Sequence, residues 1–254
     1  MASTTSARDY VLRLELPEHA HRGAPRSPRG APIVFAPEQQ AVAVGSELTE
    51  FTARVPVNLR DAIADSILLA QLAANKTDAT DPDVFHWYDK YVEVLQHIGW
   101  GIRDVEFQAQ FVSDIDVELH KAIIPVMMSM LGPQAAAASL VLAVLRGLAS
   151  MDHRTPWITL FDRLSEHAHG AKFQVSYVDA DDHGEPEITL ICFGIKADRT
   201  ITQVLFFKRS AQTAELKKAG SKLAVSRSRL ESARDAIKQR VAPFIADYVA
   251  KIEI

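Results

Sequence analysis

Ile188-Thr-Leu-Ile-Cys-Phe-Gly-Ile195 is the stretch on which the fold turns. It carries no charge, is rich in β-branched and aromatic residues, and lacks the apolar–polar alternation of a sheet with one wet face. A strand apolar on both sides needs helices over both of its faces. Working outward, Lys172 to Val178 reads as the preceding strand, joined by the turn Asp181-Asp182-His183-Gly184, and Thr200 to Phe207 as the following one, joined by Ala197-Asp198-Arg199. Connections this short make an antiparallel meander. A further strand is expected near Ser221 to Val225.

Upstream, the alternation of Tyr10, Leu12, Leu14 and Leu16 predicts a strand that Pro17 ends. Short strands are expected at Gln40 to Val44, Phe51 to Val57 and Val105 to Phe111. Asn58 caps a helix over about Leu59 to Ala74, and Asp81-Pro82 opens an aromatic one that ends before Gly99-Trp100-Gly101. In that second helix Trp87 falls off the apolar face and is either exposed or met by a neighbour. The last helix is expected over about Arg227 to Ile252, kinked or split at Pro243. Between Pro17 and Pro37 no periodicity survives, so this reads as a surface arm, with Arg22, Arg26 and Arg29 suited to anionic lipid as a second reading. The order implies an α/β protein of the α+β type: one domain over residues 1–254, with an antiparallel sheet flanked by helical hairpins in three α/β/α layers.

From Ala122 to Leu145 the chain carries no charge. Its length would suit a membrane span. Pro125 and Gly132-Pro133 divide it instead into two helices, about Asp116 to Leu131 and Pro133 to Ser150, each too short to cross a bilayer. The plain reading is a buried hairpin in a soluble core. The functional reading is a hairpin that leaves the core for lipid, through Ile123, Ile124, Val126, Met127, Leu140, Val141, Val144 and Leu145.

The net charge of −4 argues against a general nucleic-acid binder. With Cys192 as the single cysteine no internal disulfide can form, and the polar start of the chain shows no signal peptide, so synthesis in the cytoplasm is expected. There is no phosphate-cradling glycine motif, no zinc-protease motif and no serine-hydrolase elbow, so no catalytic residue is assigned. The pairs His19/His21 and His167/His169 are too short a pattern to define a metal site, and Asp179, Asp181, Asp182 and Glu185 lack the spacing of a calcium loop. No metal and no resident cofactor are expected. Cys192, in the middle of the apolar strand, is either a small buried hydrophobe or a modified thiol.

The runs Trp157-Ile-Thr-Leu-Phe161, Lys172-Phe-Gln-Val-Ser-Tyr-Val178, Phe193-Gly-Ile-Lys196 and Gln203-Val-Leu-Phe-Phe207 resemble the Cyt δ-endotoxin family of cytolysins, over about Asp116 to Leu223. Related folds include the volvatoxin-like cytolysins and the Evf-type bacterial virulence factor. The resemblance implies non-enzymatic binding to a lipid membrane and homo-oligomers that permeabilise it, by a protein released to act on target-cell membranes. For the Evf-type branch it implies a covalent fatty acid on a cysteine, for which Cys192 is the candidate here. An acyl-carrying or partner-binding virulence protein without pore formation is therefore the alternative. The aromatic helix, the Pro17–Pro37 arm and the long charged C-terminal helix depart from the toxin pattern.

Overall fold

The central strands form as the apolar stretch requires. In the computed structural model, which describes residues 6–18, 33–77, 84–106, 118–167, 170–197, 201, 203–207 and 214–252, β5 (Gly170–Ala180) and β6 (Pro186–Ala197) pair antiparallel with Gln174 opposite Cys192. Their turn is organised by Asp181, whose Oδ1 accepts the amides of His183 and Glu185, each at 2.9 Å. With β1 (Gln40–Val44), β2 (Glu47–Phe51), β3 (Trp100–Glu106), β7 (Ala214–Val225) and β8 (Val249–Lys251) they form one sheet in the order β3-β7-β6-β5-β2-β1-β8, and β4 (Glu166–His167) pairs beside β5. Every pairing is antiparallel except β2 with β5, which is parallel.

Helices cover both faces. On one, here the upper face, lie α1 (Ala7–Arg13), α2 (Val57–Thr77), α3 (Val84–His97) and α8 (Arg227–Val241), packed on Val42, Val44, Phe51, Val178, Ile188, Leu190 and Leu223. On the lower face lie α4 (Leu119–Leu131), α5 (Pro133–Ala138), α6 (Leu140–Gly147) and α7 (Pro156–Ser165), packed on Ala43, Leu48, Phe173, Val175, Ile191 and Phe193. Alternation along each strand divides the two cores. The architecture is α+β with three layers, as expected, though the sheet is mixed rather than wholly antiparallel because β2 joins β5 in parallel.

Four expectations are corrected. Residues 7–13 are helix, not strand: Ser6 Oγ accepts the Asp9 amide at 3.1 Å and the turn lies along α8, with Val11 as its buried residue. The free edge of β6 is taken by β7, not by Thr200 to Phe207. Of that stretch Ile201, Val204, Leu205 and Phe207 are buried, yet residues 203–207 run as a strap over the start of α4, where the Leu119 and His120 amides donate to Phe207 and Leu205 carbonyls at 2.9 and 3.0 Å. The strand expected at Phe51 to Val57 begins earlier, at Glu47, because Gly45, at φ +61°, turns the chain back directly after β1. The final helix stops at Val241, and after the short α9 (Ile245–Tyr248) the chain joins the sheet edge as β8. Residues 107–117, 19–32 and 78–83, which hold most of the Val105–Phe111 strand, the centre of the arm and the Asp81-Pro82 start signal, lie outside the described residues.

Candidate functional site

The charge-free segment folds down on the lower face. Ile123 and Met127 of α4 and Val141, Val144 and Leu145 of α6 are buried, Val126 nearly so, and Ile124 and Leu140 are half-buried. All the residues expected to meet lipid are thus brought into one layer, most of them turned toward the sheet. α4 sits close because β7 has Gly220 beneath it: a Cβ there would fall 2.5 Å from Met130 Cε. The layer is jointed. Pro125 lies inside α4, Gly132 adopts φ +79° between α4 and α5, and Ser139 breaks α5 from α6. Among the described residues no helix is long and apolar enough to cross a membrane.

One buried carboxylate reaches into this layer from the sheet. Glu50, 1% exposed on β2, accepts the Ser139 hydroxyl at 2.6 Å and the Leu140 and Val141 amides at 3.0 Å each. Gln39 Nε2 also donates to it. Ser139 Oγ in turn accepts the Leu142 amide at 3.2 Å. The first amides of α6, which have no partners within a helix, are therefore all satisfied by Glu50 and Ser139, with the carboxylate at the positive end of the helix dipole. The other end of the layer is fastened through the strap: Asp162 of α7 accepts the Val204 amide at 2.8 Å, and burial lifts its carboxyl to about 6.

The upper face is tied differently. Glu47, three residues before Glu50 and so on the opposite face of β2, is fully buried beneath α2 and α3. Tyr91 donates to its Oε2 at 3.0 Å, Gln71 at 3.4 Å, and Thr49 donates to Oε1 at 3.4 Å. Burial raises Glu47 to about 7 against the pull of these donors, and holds Tyr91 well above its ordinary value. Tyr88 shares a 2.7 Å hydrogen bond with Ser221 of β7. Trp87 is buried, donating to Asn75 at 2.7 Å, and the Lys172 ammonium lies 5.5 Å from its ring. Burial lowers Lys172 to about 8.

Cys192 belongs to this upper seam. It is buried beside Gln174, and burial pushes its thiol up, so in the closed structure it is a protonated, enclosed side chain. Gln174 is fully buried, and neither of its amide atoms has a partner among the described residues.

The acidic turn is neutralised by arginines: Arg54 pairs with Asp179 at 3.1 Å and Asp182 at 3.4 Å, and Arg103 with Asp181 at 3.8 Å. Among the described residues no three His, Cys, Asp or Glu side chains gather as metal ligands. His19, His21 and His169 lie outside the described residues. Sequence reasoning missed Glu47, Glu50, Tyr88, Tyr91 and Ser139. Their signal was two carboxylates three apart in a short segment next to apolar strands, visible only once β2 is placed at Glu47–Phe51.

The resemblance noted in the sequence returns in comparisons of structure. A solved delta-endotoxin is 17% identical, with 79% of this chain and 88% of that one covered, at a TM-score of 0.43. The activated Cyt2Ba monomer from Bacillus thuringiensis subsp. israelensis is 14% identical over 71% of this chain and 96% of its own, at 0.39. The Evf virulence factor is 15% identical over 86% of both chains, at 0.33. No family model and no curated protein matches the chain.

Proposed function

We propose that this protein is a membrane-active, non-enzymatic toxin or virulence factor whose α4–α6 layer leaves the sheet for the lipid interface. The observation that supports this is the jointed layer, uncharged from Ala122 to Leu145, with its apolar side turned inward. In water, burying each large apolar side chain contributes roughly 1.5–3 kcal/mol, which keeps the layer closed. Beside a bilayer that contribution largely cancels, since hydrocarbon receives the same side chains equally well. At about 1.5 Å per residue α4 is some 20 Å long, so it would lie in the interface rather than span the core. The exposed sheet would then associate with further copies.

Dye release from liposomes tests the reading, with a disulfide joining α4 to β7 at the Met130/Gly220 contact. The expected result is concentration-dependent leakage, abolished in the oxidised, folded Met130→Cys/Gly220→Cys protein and restored by reductant. Leakage from the oxidised protein would refute release of the layer. Absence of leakage from every lipid mixture would refute membrane activity.

A second reading is favoured by Cys192 and its neighbour Gln174. The buried thiol would carry a fatty acyl chain as a thioester: while α3 is lifted or before folding is complete, its sulfur would attack the carbonyl of an acyl-thioester donor, whose own sulfur would leave with the proton as a free thiol. Gln174 would then offer its amide to the thioester carbonyl. Intact-mass measurement of native protein decides this: an added acyl mass, lost with hydroxylamine, is expected, and an unmodified mass excludes it.

A further inference from the structure

We infer that Glu50 is the latch of the α4–α6 layer: its carboxylate, by capping α6 from the sheet, sets when that layer opens. The inference rests on the reading that this layer moves. It follows from which contacts survive contact with lipid. The apolar contacts of Ile123, Met127, Val141, Val144 and Leu145 lose their advantage when hydrocarbon is the alternative. A hydrogen-bonded carboxylate does not. Moving α6 off the sheet takes the amides of Leu140 and Val141 and the Ser139 hydroxyl away from Glu50, so that they must be resolvated at the interface, and leaves Gln39 as the remaining donor to Glu50 among those described. Hydrogen bonds to an ionised group are the strong ones, and here they act together at a helix start.

The position suits control as well as strength. Glu50 ties the layer at the Ser139 break, where α6 begins, while the far end stays fastened through the Leu119 and His120 amides to the 203–207 strap. Loss of the cap would free α5 and α6 first, hinging at Gly132, with α4 following. Gln39 lets the approach to β1 sense the same event, since its Nε2 donates to Glu50 and to the Ala138 carbonyl, the latter at 2.9 Å.

Hydrogen exchange and dye release on the full chain test this together. In Glu50→Gln the shape is kept and the charge lost. Amides of α5 and α6 should exchange about tenfold faster or more, with those of α2 and α3 unchanged. The protein concentration giving half-maximal leakage from phosphatidylcholine or phosphatidylcholine/phosphatidylserine vesicles should fall several-fold. Glu47→Gln is the control and should leave α5–α6 exchange unaltered. If Glu50→Gln does not fold, Ser139→Ala removes one donor and the side-chain cap and should show the same selective exchange in smaller measure. Unchanged α5–α6 exchange in the folded variant, or an equal rise in both layers, overturns the latch. A selective rise with no leakage from wild type or variant upholds the latch and overturns the membrane reading.

Discussion

The two helical layers lie on the same sheet but are held to it by different physics. Above, the sheet offers a polar row of Glu47, Thr49, Gln174, Ser176 and Ser221, and α2 and α3 answer it with Gln71, Tyr88 and Tyr91. Below, the sheet offers Leu48, Val175, Ile191 and Phe193, and the lower helices answer with aliphatic and aromatic side chains. Polar contacts are directional and cannot be traded for lipid. Apolar contacts are indifferent to which hydrocarbon surrounds them. The upper layer is thus tied by directional polar contacts as well as an apolar core, and the lower one chiefly by its exclusion from water, with Glu50 at α6 and the 203–207 strap at α4 as its polar fastenings.

Substitutions can break this contrast. The largest effect is expected at Arg60, a buried guanidinium on α2 whose donors reach the carbonyls of Ala36, Pro37, Glu38, Thr52 and Val55. Arg60→Ala should cost about 3–5 kcal/mol in a denaturant midpoint and expose the 33–39 segment to protease. Below the sheet, Leu145→Ala should cost about 2–5 kcal/mol in buffer. It should also leave the leakage threshold level or lowered, and a raised threshold would count against an apolar layer that only water holds in place.

Glu47 gives the contrast a pH signature. Its folded value, about 7, lies above the usual carboxylate value of 4.5, so the native state holds the proton more tightly than the unfolded chain. That stabilisation is complete below 4.5 and is lost as pH rises through about 7, a change on the order of 3 kcal/mol. Melting curves across this window should show the decline in wild type and a flatter profile in Glu47→Gln. An unaltered profile in the variant would assign the decline to other groups. The smallest effect, about 1–2 kcal/mol, is expected for Tyr91→Phe, which removes one donor from Glu47. Its near-ultraviolet dichroism should change while α5–α6 exchange stays as in wild type.

Much of the frame was legible because it rests on local pattern. The apolar β6, the helix beginning next to Asn58 and the break at Gly132-Pro133 all announce themselves in consecutive residues, whereas Pro125 is carried inside α4 without ending it. β7 was legible only in its second half, expected near Ser221 to Val225: Lys217-Lys218 and Gly220 interrupt the period before that, and its place is set by pairing with β3 and β6. Tyr10 to Leu16 alternate like a strand, yet a serine cap and α8 make residues 7–13 a helix. The apolar half of the candidate site could be named from composition. The carboxylates that hold the layers could not, since most of their donors come from positions 24 to 91 residues away and meet only in the folded chain.

The five residues Glu47-Leu-Thr-Glu-Phe51 carry a further consequence. Odd positions face one layer and even positions the other, so a slip of one residue against β5 would thrust Glu47 among the aliphatic helices and Glu50 beneath the tyrosines. Leu48 and Phe51 would land on the wrong sides with them. Such an isomer would strand both acids away from their donors, so it could not settle. The strand therefore proofreads its own alignment. Gln71 makes the correct alignment easy to find, accepting the Ser46 amide at 3.0 Å and donating to the Val44 carbonyl at 2.8 Å, so it grips the turn from which the strand is counted.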